Sequence, residues 1–245
     1  VATGVSPPFF THETLAFFRD LAAHNERAWF EAQRPRFERE VREPCLAFIR
    51  ALAGPLAEIS PHYRAEAKKV GGSLFRIQRD TRFAKDKTPY KTHAGLRFAH
   101  AATRPTARGE GGNAAPGALD APVFYLHLAP GGSFLGGGIW HPQPATLRRI
   151  RQYLVNNPRS WTAAIQAQPF VRHFRLEGER LSRPPQGFDP AHPLIETLKF
   201  KDFVASAPLS DADLVAPGLL ETVVAQYRAL APLMDWLCGA LDLDF

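Results

Sequence analysis

The hydrophobic period of this chain changes at Pro61, and that change constrains its fold more than any other feature. Before it, Leu15, Phe18, Leu21 and Ala22 recur at helical spacing, which predicts a helix over 12–23 with Thr11 as its cap. Trp29, Phe30, Phe37 and Val41 carry an apolar stripe on through a strongly charged segment. Pro44 suits the first turn of a third helix, which carries Leu46, Phe48, Ile49, Leu52 and Leu56 up to Ile59. Beyond Pro61 apolar and polar residues alternate, predicting strands over 74–79, 96–99, 123–128, 133–140, 174–181 (interrupted by Gly178) and 202–208. Helical spacing returns at 145–156 and 161–168. It returns again after Pro217, where Leu220, Val223, Val224, Tyr227, Leu230, Met234 and Leu237 form one stripe that Gly239 can end. Helices at both ends and strands in hairpin order between them predict an α+β fold. The expected architecture is a mainly antiparallel central sheet with the N- and C-terminal helices packed on it.

No boundary in the 245 residues is sharp enough to demand two domains, so the expectation is one domain over 1–245. Residues 100–122 are rich in Ala, Gly and Pro and read as a flexible insert. A chain of this length buries a sizeable core without disulfides or a structural metal. Its two cysteines, Cys45 and Cys238, make neither a disulfide framework nor a thiolate zinc site, and a reducing cytoplasm suits them. No apolar run reaches membrane-spanning length, and the N-terminal VATGVSPPFF lacks the basic-then-apolar layout of a signal peptide. Neither a membrane partner nor a cofactor is expected, and the oligomeric state is not encoded in any pattern.

The chemistry concentrates in FRIQRDTRFAKDKTPYK, residues 75–91. Arg76, Arg79, Arg82, Lys85, Lys87 and Lys91 face only Asp80 and Asp86 there, so the segment holds four of the chain's six net positive charges. Arginine presents a planar fork to phosphate or carboxylate, and lysine a point charge. A strand running into such a loop makes a cradle for an anion. Asp80 and Asp86 would then steady the cations, and Tyr90 would add a ring and a hydroxyl. The same charges can instead form a salt-bridge network that pins the loop to Glu31, Glu38, Glu40 and Glu43 of the preceding helices.

Three histidines stand near this segment by pattern. His93 closes the basic loop, His127 alternates with Val123 and Tyr125, and His141 follows Trp140 after a glycine-rich strand. Near a bound anion they are candidates for acid–base work, with His93, His127, Trp140 and His141 supporting the pocket. No pair has metal-motif spacing, so no metal is expected. Gly136-Gly137-Gly138 lacks the phosphate-loop pattern and reads as a bulge, or as a place where another group approaches the sheet. No serine or cysteine stands in a nucleophile motif. A second reading uses the same bases with Lys199, Lys201 and the Arg148–Arg151 helix to bind nucleic acid, aromatics interleaving with cations. The residues name no reaction.

RDTRFAKDKTPYKT (79–92), Asn25 with Trp29-Phe30, FYLHLAPGGSFLGGGIWHP (124–142) and PPQGFDPAHPLIETLKFKDF (184–203) occur in this order along the chain. In these stretches it resembles the uncharacterised bacterial and fungal family called domain of unknown function 2461, over nearly its whole length. The resemblance implies a single intracellular α+β domain and brings no established reaction with it. The insert at 100–122 is longer and richer in Ala and Gly than that family pattern needs. The leading expectation is therefore a small anionic ligand, bearing phosphate or carboxylate, held by the 76–93 segment against the His127 and Trp140 strands.

Overall fold

The computed structural model of the chain describes residues 7–82, 84–103 and 120–245. Helix α1 spans His12–Ala23, and α2 (Arg27–Phe37) runs through one π-helical turn, Glu38–Arg42, into α3 (Glu43–Ile59). The π turn has a covalent cause. Pro44 has no N–H to give the carbonyl of Glu40, and an α-helix cannot close that bond. Thr14 supplies the missing donor, its Oγ1 lying 2.8 Å from the Glu40 oxygen, while Thr14 Oγ1 also accepts the N–H of Thr11 at 3.2 Å. The proline that disturbs the helix thereby docks α1 onto it.

Six strands follow: β1 (Tyr63–Arg64), β2 (Ala94–His100), β3 (Val123–Leu128), β4 (Ser133–Ile139), β5 (Arg175–Glu177) and β6 (Phe203–Leu209). They form one sheet in the order β1-β2-β3-β4-β6-β5, antiparallel at every pair. Between β4 and β5 lie α4 (Pro144–Asn156), α5 (Pro158–Gln166) and α6 (Gln168–His173). The short α7 (Ile195–Leu198) precedes β6, and α8 (Asp211–Leu214) and the long α9 (Leu219–Gly239) close the chain. The fold is the expected α+β arrangement.

Helix α9 crosses one face of the sheet. Its Tyr227 ring meets Phe124 at 4.7 Å and Phe98 at 6.2 Å. Its Leu230 and Met234 come so close to Gly137 that a Cβ there would sit 2.9 Å from each of them. The glycine run is therefore not a bulge, since β4 keeps unbroken register with both β3 and β6. The close approach belongs to a helix rather than to a ligand.

One other expectation changes. Residues 74–79 form no strand and make only single bridges, Leu74 to Leu96 and Gln78 to Tyr90. The segment pairs with the edge of β2 as far as Phe75, then turns back, and Arg79 N–H donates to the Pro89 carbonyl at 2.9 Å. The strand expected at 174–181 is broken at Gly178 as expected: β5 ends at Glu177, and Gly178 adopts φ 133° beside Asp202. At the borders of the expected insert, His100 ends β2 and is buried, as is Ala121. Residues 104–119 lie outside the described residues.

Candidate functional site

The basic loop is knitted together locally. Arg79 donates to Asp86 and to Thr88 Oγ1, and Thr88 donates its own N–H and hydroxyl to Asp86 at 2.9 Å each. These bonds, the guanidinium's first, hold the Asp86 carboxyl down at about 2. Arg82 grips Asp80 with both arms of its fork, at 2.9 and 2.6 Å, and holds that carboxyl well below the usual range. Lys87 reaches the Thr81 carbonyl at 2.9 Å, and Lys91 the Arg76 carbonyl at 2.8 Å. Arg76 and Lys85 are exposed. Six cations do not converge on one point. The side chains of Arg79, Arg82, Lys87 and Lys91 close a loop, and the two acids take one arginine each.

The expected partners in the N-terminal helices are engaged elsewhere. Glu31 pairs with Arg34, Glu38 with Arg42, Glu40 with Arg39 and Glu43 with Lys69. What fastens the loop to those helices is Tyr90. Asn25 Nδ2 donates to the Tyr90 carbonyl at 2.9 Å, and Asn25 Oδ1 accepts the Tyr90 N–H at 3.0 Å. Phe30 stacks on the Tyr90 ring at 4.1 Å and 22°. Burial raises the Tyr90 phenol above its ordinary value. Tyr90 is thus an anchor of the loop.

The second face of the sheet carries a group that sequence reasoning passed over. Register puts Arg97 opposite Tyr125, Tyr125 opposite Gly136 and Gly136 opposite Ser206, in one row across four strands. The next row holds Gly95, His127 and Phe134. Arg97 is half-buried, and its guanidinium makes no hydrogen bond or ion pair among the described residues; desolvation lowers its pKa. Beside it the Tyr125 hydroxyl and His127 Nδ1 are 3.2 Å apart, and the His93 and His127 rings lie at 4.3 Å. Phe75 meets Tyr125 at 6.3 Å and carries the Lys91 ammonium 5.6 Å above its ring. The sequence did hold a signal for Arg97: it is the one cation in β2, set between Leu96 and Phe98 and in phase with Tyr125 and His127.

Trp140 and His141 do not join this group. They follow the far end of β4, six residues beyond the Phe134 that pairs with His127, or about 20 Å along the strand. There His141 stacks on Trp140 at 4.2 Å and donates its N–H to the buried Asp202 at 2.6 Å. Lys199 and Lys201, counted toward a nucleic-acid surface, pair with Glu196 and Glu179. Arg151 is buried and donates to the carbonyls of Leu198 and Phe200 at 2.7 and 2.9 Å, while Arg149 pairs with Asp242. Among the described residues no group of three or more His, Cys, Asp or Glu side chains is placed to hold a metal ion.

The family model described as "Conserved hypothetical protein (DUF2461)" matches residues 13–236. The chain belongs to this family. No curated protein matches it. In this DUF2461 protein the matched span includes the loop, its Asn25 anchor, both faces of the sheet and most of α9. Cys45 and Cys238 are both free and buried, and burial pushes their thiols up to about 12 and about 11. Among the described residues no helix is long and apolar enough to cross a membrane.

Proposed function

We propose that this DUF2461 protein binds a small anionic ligand on the second face of its sheet, with Arg97 as the principal contact. The observation that carries the reading is the half-buried guanidinium with no partner among the described residues. A desolvated charge costs free energy unless a counter-charge meets it, and a ligand anion would supply that charge. The 75–91 loop is then the wall beside the site, stiffened by its own ion pairs, with Lys91 at the border. Two buried free thiols suit a reducing cytoplasm. His127, hydrogen-bonded to Tyr125, is the group nearest to acid–base work in this arrangement.

The test is a thermal-shift screen of carboxylates, phosphorylated metabolites and short oligonucleotides at two salt concentrations, with Arg97→Gln beside the parent. A small anion is expected to raise the Tm at both salt levels and to lose that effect in the variant. A pocket holding one charge responds weakly to salt, whereas a surface neutralising several phosphates loses affinity steeply. Shifts from oligonucleotides alone, fading with salt, would move the assignment to nucleic acid. No shift from any anion would end the proposal.

A further inference from the structure

At the far end of β4, away from Arg97, a carboxylate and an imidazole share one small arrangement. Asp202 is 1% exposed, and among the described residues no lysine or arginine side chain reaches it. Lys201 turns to Glu179 at 2.9 Å, and Arg151 to the carbonyls of Leu198 and Phe200. His141 meets the carboxylate twice. Asp202 Oδ1 accepts the His141 N–H at 2.6 Å and lies 3.2 Å from its Nδ1, while Oδ2 accepts the Glu179 N–H at 3.2 Å. A buried carboxylate costs free energy unless hydrogen bonds and a counter-charge meet it, and among the described residues His141 is the side chain placed to bring that charge.

Backbone strain on both sides holds the pair together. His141 adopts φ 51°, a left-handed conformation that residues with a Cβ rarely take, and there its N–H and its ring both reach one oxygen. Gly178 adopts φ 133°, and a Cβ on it would come within 2.8 Å of the Asp202 Cβ. The tautomer follows from charge. A carboxylate oxygen beside Nδ1 repels a lone pair there and attracts a proton, so the lone pair of the neutral ring falls on Nε2. The His141 side chain is 44% exposed, and Nε2 has no partner among the described residues. Trp140, 51% exposed, lies against the same ring at 4.2 Å.

We propose that His141 is the general base of a second site, positioned by Asp202, and that its Nε2 takes the proton of a water or hydroxyl attacking an uncharged substrate. The imidazolium that forms sits beside a buried carboxylate, which steadies its charge. An anionic substrate does not suit the place: with the ring neutral, Asp202 is an unbalanced negative charge next to the balanced Glu179–Lys201 pair. The site stands independently of Arg97. p-Nitrophenyl acetate is the neutral probe and p-nitrophenyl phosphate the anionic one. In the first, the oxygen of water bonds to the acetyl carbon as Nε2 takes one of its protons. The bond to p-nitrophenolate then breaks, acetic acid is left, and the proton passes from Nε2 to solvent. The proteins compared are the parent, His141→Gln, Asp202→Asn and, as a control at an exposed histidine elsewhere, His173→Gln. Nitrogen-15 NMR at about pH 8, where an ordinary imidazole is neutral, reads the His141 tautomer.

The parent and His173→Gln are expected to hydrolyse the acetate at least about tenfold faster than His141→Gln, a small part of what a positioned base supplies. The parent should show the Nδ1–H tautomer at His141. Asp202→Asn should shift that ring toward Nε2–H and lower the rate with it, a change that a merely structural aspartate would not produce. If Asp202→Asn does not fold, the parent tautomer and the His141→Gln rate decide the matter. Equal hydrolysis by the parent and His141→Gln would overturn the proposal, and so would an Nε2–H ring in the parent. An acetyl group found on Nε2 by mass spectrometry would overturn the base assignment in favour of a nucleophile. Hydrolysis of the phosphate that depends on His141 would overturn the uncharged substrate.

Discussion

Asn25 brackets the peptide of Tyr90, donating to its carbonyl at 2.9 Å and accepting its N–H at 3.0 Å, although the two residues are 65 positions apart. An asparagine side chain carries the same donor and acceptor as a peptide group, so it completes the backbone pairing that the irregular 89–91 segment cannot find in a strand. Removing it leaves a partly buried N–H and carbonyl unmet. Asn25→Ala is expected to cost about 1–3 kcal/mol, read as a lower midpoint in chemical denaturation. Asn25→Asp keeps the acceptor but, ionised above about pH 5, sets an oxygen against the Tyr90 carbonyl, and should cost at least as much as the alanine variant.

The pairing of Asp86 with Arg79 and Thr88 makes loop order depend on pH. The folded carboxyl titrates at about 2, below the ordinary aspartate value of about 4. A depressed carboxyl stabilises the folded loop above its unfolded pKa and loses that contribution as pH falls through the folded one. The window is therefore about pH 4 down to about 2. Carboxyl-carbon NMR should place the Asp86 midpoint near the lower value and move it upward in Arg79→Gln. An ordinary midpoint in the parent would show that the pair does not persist in solution.

Two glycines should respond in opposite directions to alanine. At Gly137 a Cβ would meet Leu230, Met234 and the Val123 carbonyl, each at 2.9 Å. Either α9 lifts or β4 shifts, for an expected loss of roughly 1–3 kcal/mol. At the exposed Gly54 inside α3 nothing lies within 4 Å, and alanine should add about 1 kcal/mol of helix propensity. Urea denaturation of the two variants tests the packing of α9 independently of any ligand.

Arg97 should be worth more to binding than to folding. Arg97→Met keeps most of the side-chain volume and removes a desolvated charge without a partner among the described residues. The variant is expected to gain roughly 0.5–2 kcal/mol in stability while losing the anion response. A variant that unfolds more easily than the parent would point to a structural role for the guanidinium.

How far the sequence could be read varies by element. Helix α1 and strand β3 have the predicted bounds, because each carries a clean period within a few turns or residues. Residues 74–79 alternate as a strand should, with Ile77 buried and Arg76 exposed, yet their backbone changes partners midway. Alternation reports which side faces the core and is silent on who supplies the hydrogen bonds. By pattern, glycines 136–138 suit a bulge or the approach of another group. A space left for α9 looks the same in sequence, because Leu230 and Met234 lie about 90 residues away. Tyr90 and the six cations were the most conspicuous candidates, and most of their side chains hold the loop together.

The sequence by itself determined the family, the α+β order of elements, the one strongly basic segment and the pairing capacity of its two acids. These are local properties, settled by spacing and composition within short windows. Only the tertiary structure decided which charges found partners nearby. It set Arg97 beside Tyr125 and separated Trp140 from His127 along β4. Strand register and the choice of face covered by α9 fix those relationships, and both come from packing between segments far apart in the chain. One residue of slip in β2 would turn Arg97 into the core and erase the site without changing a single local pattern.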